Sequence, residues 1–214
     1  MKRNVRALLF PVAFALAGMA VSAPAESSVS LAALFEQTVA NSEAVAVVTP
    51  IEQKSVTEEG RIVTYSRVHV DETIAGKLAP EVWIATRGGT VGKIAENVDG
   101  EPLLFVGYPT FLFLRSHTSS SAGAPAGTYV VTARAQGQFE FLPTKPESKE
   151  RLLTASNGVG AIFPRKVPKS VGGLSLSNAS TVRVPTLQEN IVGKRFEEAV
   201  RNIRSIWESA HAKK

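Results

Sequence analysis

The sequence predicts a mainly β protein, either an antiparallel barrel or a sandwich, with a short helix before the strands and an amphipathic helix after them. Several short apolar runs, rich in β-branched and aromatic residues, lie between turns that contain Gly, Pro or Ser. No helical pattern separates these runs, and a pattern of helical period follows near the end of the chain. We therefore expect one β-sheet core flanked by two helices.

The first 25 residues have the pattern of a secretory signal peptide. A basic start precedes an apolar run from Ala7 to Val21, and Ala23-Pro24-Ala25 forms a small-residue cleavage site. Because the apolar run is shorter than the about 20 residues that span a bilayer, an uncleaved anchor is the less favoured alternative. We expect residues 1–25 to be removed, no transmembrane segment to remain, and the protein to be periplasmic or secreted.

Charge and cysteine content exclude several classes of function. The formal net charge is +5, and Lys2, Arg3 and Arg6 lie in the predicted signal peptide, so the exported part carries only about +2. Such a balance does not indicate nucleic-acid binding. The chain has no cysteine, which excludes disulfides, thiol catalysis and Cys-ligated zinc.

The first predicted element is a short amphipathic helix between Ser27 and Asn41. A long strand, bent at Pro50, follows from Ala44 to Val56 and enters a hairpin at Glu58-Glu59-Gly60. Its partner is the stretch IVTYSRVHVDETIAGK, residues 62–77. Later apolar runs predict four further strands, at Glu81–Arg87, Thr110–Arg115, Thr128–Ala135 and Gln138–Leu142.

The core domain predicted in this way spans residues 26–142. Residues 143–184 are rich in Pro, Lys, Ser and Gly, which indicates a loop-rich flank that either wraps the core or is partly disordered, with one short strand at Arg151–Ala155. Over residues 185–212 apolar side chains recur every three or four positions, which predicts a C-terminal amphipathic helix interrupted near Gly193.

Five segments in this order, AVAVVTPIEQKSV, GRIVTYSRVHVDETIAGK, EVWIATRGG, TFLFLR and GTYVVTARAQGQFEF, resemble a group of uncharacterised secreted bacterial proteins. The core of that group is similar to the netrin and tissue-inhibitor-of-metalloproteinases module, and the resemblance covers about half the chain, from Leu31 to Phe141. It implies an OB-like antiparallel barrel that binds something. The inhibitors chelate zinc through an N-terminal cysteine, so that mechanism does not transfer to a chain without cysteine.

The predicted partner strand carries a row of polar residues. Alternation along a strand puts four of them on one face: Tyr65, Arg67, His69 and Asp71. One interpretation is a solvent-facing strip opposite a core face that contains Val68 and Val70. The other is a ligand-binding or catalytic surface, completed by a residue of an adjacent strand such as Arg87, Glu81 or Arg134.

Other chemistry has little support in the sequence. The histidines are scattered at positions 69, 117 and 211, so we expect no metal site and no cofactor. The segment GGTVGK lacks the spacing of a phosphate-binding loop, and no G-x-S-x-G motif indicates a serine nucleophile.

We therefore expect an exported, non-enzymatic binding module of the bacterial envelope. Its ligand is expected to be a protein or an envelope polymer and not a nucleic acid, bound at Tyr65, Arg67, His69 and Arg87. One alternative is a hydrolase whose active site is assembled across strands near His69. Another is an envelope scaffold subunit that exposes the apolar side of the last helix: Phe196, Val200, Ile203 and Trp207.

Overall fold

The computed structural model describes residues 29–118, 123–142, 150–164 and 184–212. The predicted signal peptide and most of the predicted flank lie outside the described residues. The described strands in the first half of the chain are β1 (Val29–Leu31), β2 (Ala44–Glu58), β3 (Arg61–Gly76), β4 (Glu81–Arg87), β5 (Gly89–Val91) and β6 (Ile94–Glu96). Those in the second half are β7 (Thr110–Ser116), β8 (Thr128–Val131), β9 (Gln138–Phe141), β10 (Leu153–Ala155) and β11 (Ala161–Phe163). The α-helices are α1 (Phe35–Ala40), α2 (Leu187–Ile191) and α3 (Phe196–His211).

The long hairpin predicted from the sequence is formed by β2 and β3, which pair antiparallel from Glu58 and Arg61 at the turn to Ala44 and Gly76 at the far end. The register shifts next to Pro50, a residue that has no N–H to donate to a neighbouring strand. The predicted bend of the first strand at this position agrees with that irregularity.

The Ala-Gly-Lys ending of β3 has a steric cause. Gly76 has φ +79°, and a Cβ atom at this position would lie 2.1 Å from the carbonyl oxygen of Glu43. Both the left-handed backbone and the close approach of β2 therefore require glycine. The close contact between Gly76 and the backbone of Glu43 fixes the end of the hairpin. The Ala-Gly-Lys ending in the sequence is therefore informative about the fold.

The main sheet has the strand order β10-β9-β7-β2-β3-β4-β8, and β8 also pairs with β7. The pairings of β7, β2, β3, β4 and β8 therefore close a ring. A ring of five strands cannot alternate in direction throughout, and the pairing between β4 and β8 is parallel. The predicted antiparallel arrangement does not hold at this pairing. Strands β1 and β11, which the sequence did not predict, pair parallel in a small separate sheet.

Two hydrophobic clusters lie on opposite faces of β2 and β7. One face of β7 puts Phe111 and Phe113 into a cluster with the helices, while Leu112 and Leu114 pack in the second cluster with Val68 and Ile84. All six side chains are fully buried. The continuous apolar run TFLFL is therefore a strand buried on both faces, and each of its large side chains contributes about 1.5–3 kcal/mol of burial energy.

The helices differ in part from prediction. Helix α1 begins at Phe35, and Val29–Leu31, which the sequence placed in the predicted helix, form β1 instead, with Leu31 60% exposed. The predicted interruption near Gly193 is confirmed, since Gly193 has φ +74° and separates α2 from α3. Thr186 and Glu189 form a capping box at the start of α2.

Candidate functional site

The residues of the predicted polar row on β3 lie in different environments. Arg67 lies on the exposed surface between two carboxylates: its Nη2 atom is 2.8 Å from Oε2 of Glu52, and its Nη1 atom is 3.0 Å from Oε2 of Glu81. The hydrogen bond to Glu52 raises the pKa of Arg67, and the charge of Glu81 adds to this effect. The positive charge of Arg67 is thus already balanced by neighbours on β2 and β4.

Tyr65 differs from the rest of the row because its side chain is buried, with an exposure of 2%. Its hydroxyl donates to the carboxylate of Glu58, at 2.9 and 3.0 Å from the two oxygens. The residues that alternate with the row, Ser66 and Val68, are fully buried as the strand pattern predicts. Tyr65 is therefore part of the folded interior, and Glu58 is the polar group that connects it to the surface.

His69 lies on the exposed surface, opposite Thr49 in the register of β2 and β3. The Thr49 hydroxyl donates to Oδ2 of Asp71 at 2.7 Å. A histidine, a hydroxyl and a carboxylate thus lie in one neighbourhood, but on an exposed sheet surface. Three clefts among the described residues are lined by residues other than these.

Arg87, at the end of β4, lines a cleft of about 640 Å³ beside the tip of the β2–β3 hairpin, which we call the hairpin cleft. Its lining contains four arginines, Arg61, Arg87, Arg115 and Arg134. It also contains three carboxylates, Glu58, Glu59 and Glu101. Of the four predicted site residues, Arg87 lines this cleft directly and Tyr65 contributes to it through Glu58.

Arg134 is fixed on the wall of the hairpin cleft by a nearly buried carboxylate. Its Nε donates to Oε1 of Glu101 at 2.6 Å, and its Nη2 donates to the carbonyl oxygen of Asp99 at 3.1 Å. The other oxygen of Glu101 accepts the backbone N–H of Arg87 at 3.2 Å. Glu101 therefore joins the end of β4 to the segment that follows β8.

The segment that holds Arg134 has an unusual backbone. Ala133 and Arg134 have φ values of +61° and +54°, a region that costs a residue with a Cβ atom about 1–2 kcal/mol. A 3₁₀ turn follows over Arg134–Gly137, so the predicted strand over Thr128–Ala135 ends early, at Val131. The turn directs the chain from the ring to β9.

A second cleft, of about 680 Å³, lies between α1, the segment before it and the 3₁₀ turn. We call it the helix cleft. It shares Arg115 and Arg134 with the hairpin cleft, so the two clefts meet at these arginines. Among the described residues that line the helix cleft, Arg115 and Arg134 are the only charged ones, and Gln37 and Asn41 contribute uncharged amides from the end of α1.

Arg115 was not predicted as a site residue, because in the sequence it follows an apolar run and resembles an ordinary strand end. The sequence did contain one signal, the segment ARAQGQ after β8, which combines an arginine with residues that do not continue the strand pattern. Only the folded chain brings Arg115, Arg134 and the amides of α1 to one cleft.

The described ranges contain no group of three or more His, Cys, Asp or Glu residues that could hold a metal ion. None of the described helices is long and apolar enough to cross a bilayer. Comparison of the chain with protein-family models, with curated proteins and with solved structures gives no match.

Proposed function

We propose that this protein is an exported, non-enzymatic binding module of the bacterial envelope, built on an OB-like barrel, with a protein or an envelope polymer as its ligand. The strand order supports the fold part of the proposal. Strands β2, β3 and β4 are consecutive neighbours, and β7 returns to lie beside β2. This arrangement is the Greek-key order, and β8 closes it into a ring of five strands. OB-folds are five-stranded Greek-key barrels that bind ligands at one face and its adjoining loops.

The observation that carries the functional part is the group of arginines at the hairpin cleft. Arg61, Arg87 and Arg115 make no salt bridge with any of the described residues, whereas Arg134 is paired with Glu101. An arginine without a protein partner at a cleft retains its planar set of donors for a ligand. We take this cleft, with Arg87 from the predicted site, as the contact surface.

Arg67 and His69 fit this role less well. Arg67 is already paired with Glu52 and Glu81, so a ligand anion would have to compete with both carboxylates. His69 has an exposed setting outside the clefts, which gives no support to the hydrolase hypothesis, because that reaction needs an oriented base within reach of a bound substrate.

The scaffold hypothesis has little support either. It requires an exposed apolar side on α3, but Phe196 and Ile203 are 1% and 0% exposed, and Val200 is 7% exposed. Trp207 is partly buried against the same core. These side chains are used within the fold, so they do not form an exposed apolar side on α3.

The test is affinity capture from an envelope extract with the exported protein, compared between two double variants. Arg87→Ala/Arg115→Ala removes two cleft arginines that make no salt bridge with the described residues, and Arg67→Ala/His69→Ala removes two residues of the β3 row. We expect the first variant to lose the partners that the unaltered protein captures and the second to retain them. Equal recovery by the first variant would contradict the proposed contact surface, and loss only in the second would restore the β3 row as the site.

A further inference from the structure

We infer that the helix cleft binds an extended acidic peptide segment of a partner protein. The inference rests on the proposed binding function and assigns a chemical class to the ligand. Three features of the cleft support it: its charge, its amide side chains and the absence of aromatic side chains from its described lining.

The charge of the helix cleft favours an anion. Arg115 is exposed, and it makes no salt bridge with the described residues. The other arginine, Arg134, is held at the junction by Glu101, which lines the hairpin cleft and not the helix cleft. The lining of the hairpin cleft also contains Glu58 and Glu59, whereas the described lining of the helix cleft contains no carboxylate. A ligand carboxylate in the helix cleft therefore meets an available guanidinium, which can bind it through two parallel hydrogen bonds.

The amide side chains favour a peptide main chain beside that carboxylate. Gln37 and Asn41 are exposed and lie one helical turn apart, at the last turn and the end of α1. Neither side chain makes a hydrogen bond with another described residue. Each amide offers both donors and an acceptor, the combination that pairs with the N–H and C=O of an extended chain.

The described lining disfavours sugars and nucleobases. Neither the helix cleft nor the hairpin cleft has a Phe, Tyr or Trp among its described lining residues. Single-stranded nucleic acids bind OB-type grooves largely by stacking on such side chains. The cleft volume of about 680 Å³ lies within the range of ligand sites and accommodates a short peptide segment.

The test measures binding of a fluorescein-labelled peptide of alternating Glu and Ser residues to the full exported protein, by fluorescence anisotropy. The control peptide has Gln in place of each Glu. We expect the acidic peptide to bind at least tenfold more tightly, and its affinity to fall as NaCl is raised, because the contacts are charge-assisted. Arg115→Gln should weaken binding about tenfold, and Arg115→Lys should weaken it less.

Matched controls separate this inference from a general charge effect. Arg201→Gln removes an exposed arginine on α3 that lines neither cleft, and it should leave the affinity unchanged. Gln37→Ala should weaken binding several-fold, since it removes a peptide-binding amide but no charge. Since Arg115 and Gln37 are exposed, both variants should keep the circular dichroism spectrum of the unaltered protein.

Three results would overturn the inference: equal binding of the Glu and Gln peptides, an unchanged affinity for Arg115→Gln, or tighter Arg115-dependent binding of oligogalacturonate or single-stranded DNA than of the acidic peptide. If envelope capture still depends on Arg87 and Arg115 while the acidic peptide fails to bind, the peptide assignment is wrong and the binding module stands. If capture is independent of both arginines, the contact surface of the proposed function is wrong as well.

Discussion

Arg134 lies in a left-handed backbone conformation, and its Nε atom is 2.6 Å from Oε1 of Glu101, a residue more than thirty positions earlier in the chain. The Glu101 side chain is only 10% exposed, whereas that of Arg134 is 50% exposed. A nearly buried carboxylate thus holds an arginine that remains half in solvent. This pair fixes the point at which the hairpin cleft and the helix cleft meet.

Removing the charge of Glu101 should destabilise the fold. Glu101→Gln retains an acceptor for the N–H of Arg87 but weakens the bond to Arg134, so we expect the free energy of unfolding to fall by about 1–2 kcal/mol, with solvent around Arg134 limiting the loss. Urea denaturation measures the change. Glu81→Gln is the matched control, because the Glu81 side chain is 47% exposed. Equal losses in both variants would show that burial of Glu101 is not the cause.

Glycine at position 133 should stabilise the protein. Ala133 has φ +61°, so Ala133→Gly removes a Cβ clash worth about 1–2 kcal/mol, partly offset by about 0.4–1 kcal/mol for the greater freedom of glycine in the unfolded chain. We expect a net gain of roughly 0.5 kcal/mol in urea denaturation. Ala135→Gly, in the neighbouring 3₁₀ turn and 1% exposed, should instead destabilise. A loss at position 133 would mean that the conformation carries no strain.

Gln138 should be among the most sensitive polar positions. Its side chain is buried and bonds to both backbone groups of Leu103, accepting from the N–H at 2.8 Å and donating to the carbonyl oxygen at 2.5 Å. Because Gln138→Ala leaves these groups without partners, we expect a loss of about 2–4 kcal/mol in the free energy of unfolding. Gln188→Ala, which removes one hydrogen bond to the carbonyl of Gln136, should cost about 1 kcal/mol. The check is that Gln138→Ala lowers the free energy of unfolding by more than Gln188→Ala does.

Phe111 should dominate the cluster between the sheet and the helices. It is fully buried, and its ring centroid lies 5.5 Å from that of Phe113 and 5.6 Å from that of Phe196 on α3. Phe111→Ala should lower the free energy of unfolding by about 3–5 kcal/mol, and Phe111→Leu by less. Phe163→Ala, at a 52% exposed position, serves as the control in thermal or urea unfolding. A small effect at Phe111 would contradict its packing against α3.

Local patterns were enough to predict the hairpin and the break before α3. The β2–β3 hairpin follows from apolar runs on both sides of Glu59-Gly60, and the break from Gly193, where φ is positive. The start of α1 was misassigned because Leu31 has helical spacing but lies in β1, where pairing with Phe163, 132 residues later, fixes it. A pairing so distant leaves no periodic signal in its own segment.

The candidate site was predicted only in part. Arg87 was included as a partner from an adjacent strand, and Arg67 as a member of the polar row on β3. The carboxylates that neutralise Arg67, Glu52 and Glu81, come from β2 and β4, outside that row. Alternation along a strand indicates the face of the sheet on which a side chain lies, but not whether other residues cover that face. The burial of Tyr65 and its hydrogen bond to Glu58 were therefore not predictable. Arg115 and Arg134 converge only through the closure of the ring.

Strand β7 bonds to three neighbours, β2, β8 and β9, and it supplies large side chains to both hydrophobic clusters. Both the five-stranded ring and the hydrophobic cluster that packs against the helices contain β7. Neither part can therefore stay folded without this strand. We expect no stable intermediate that retains the ring but has released α3. The protein should unfold as a single cooperative unit, and the two clefts, which share Arg115 near the end of β7, should persist or disappear together.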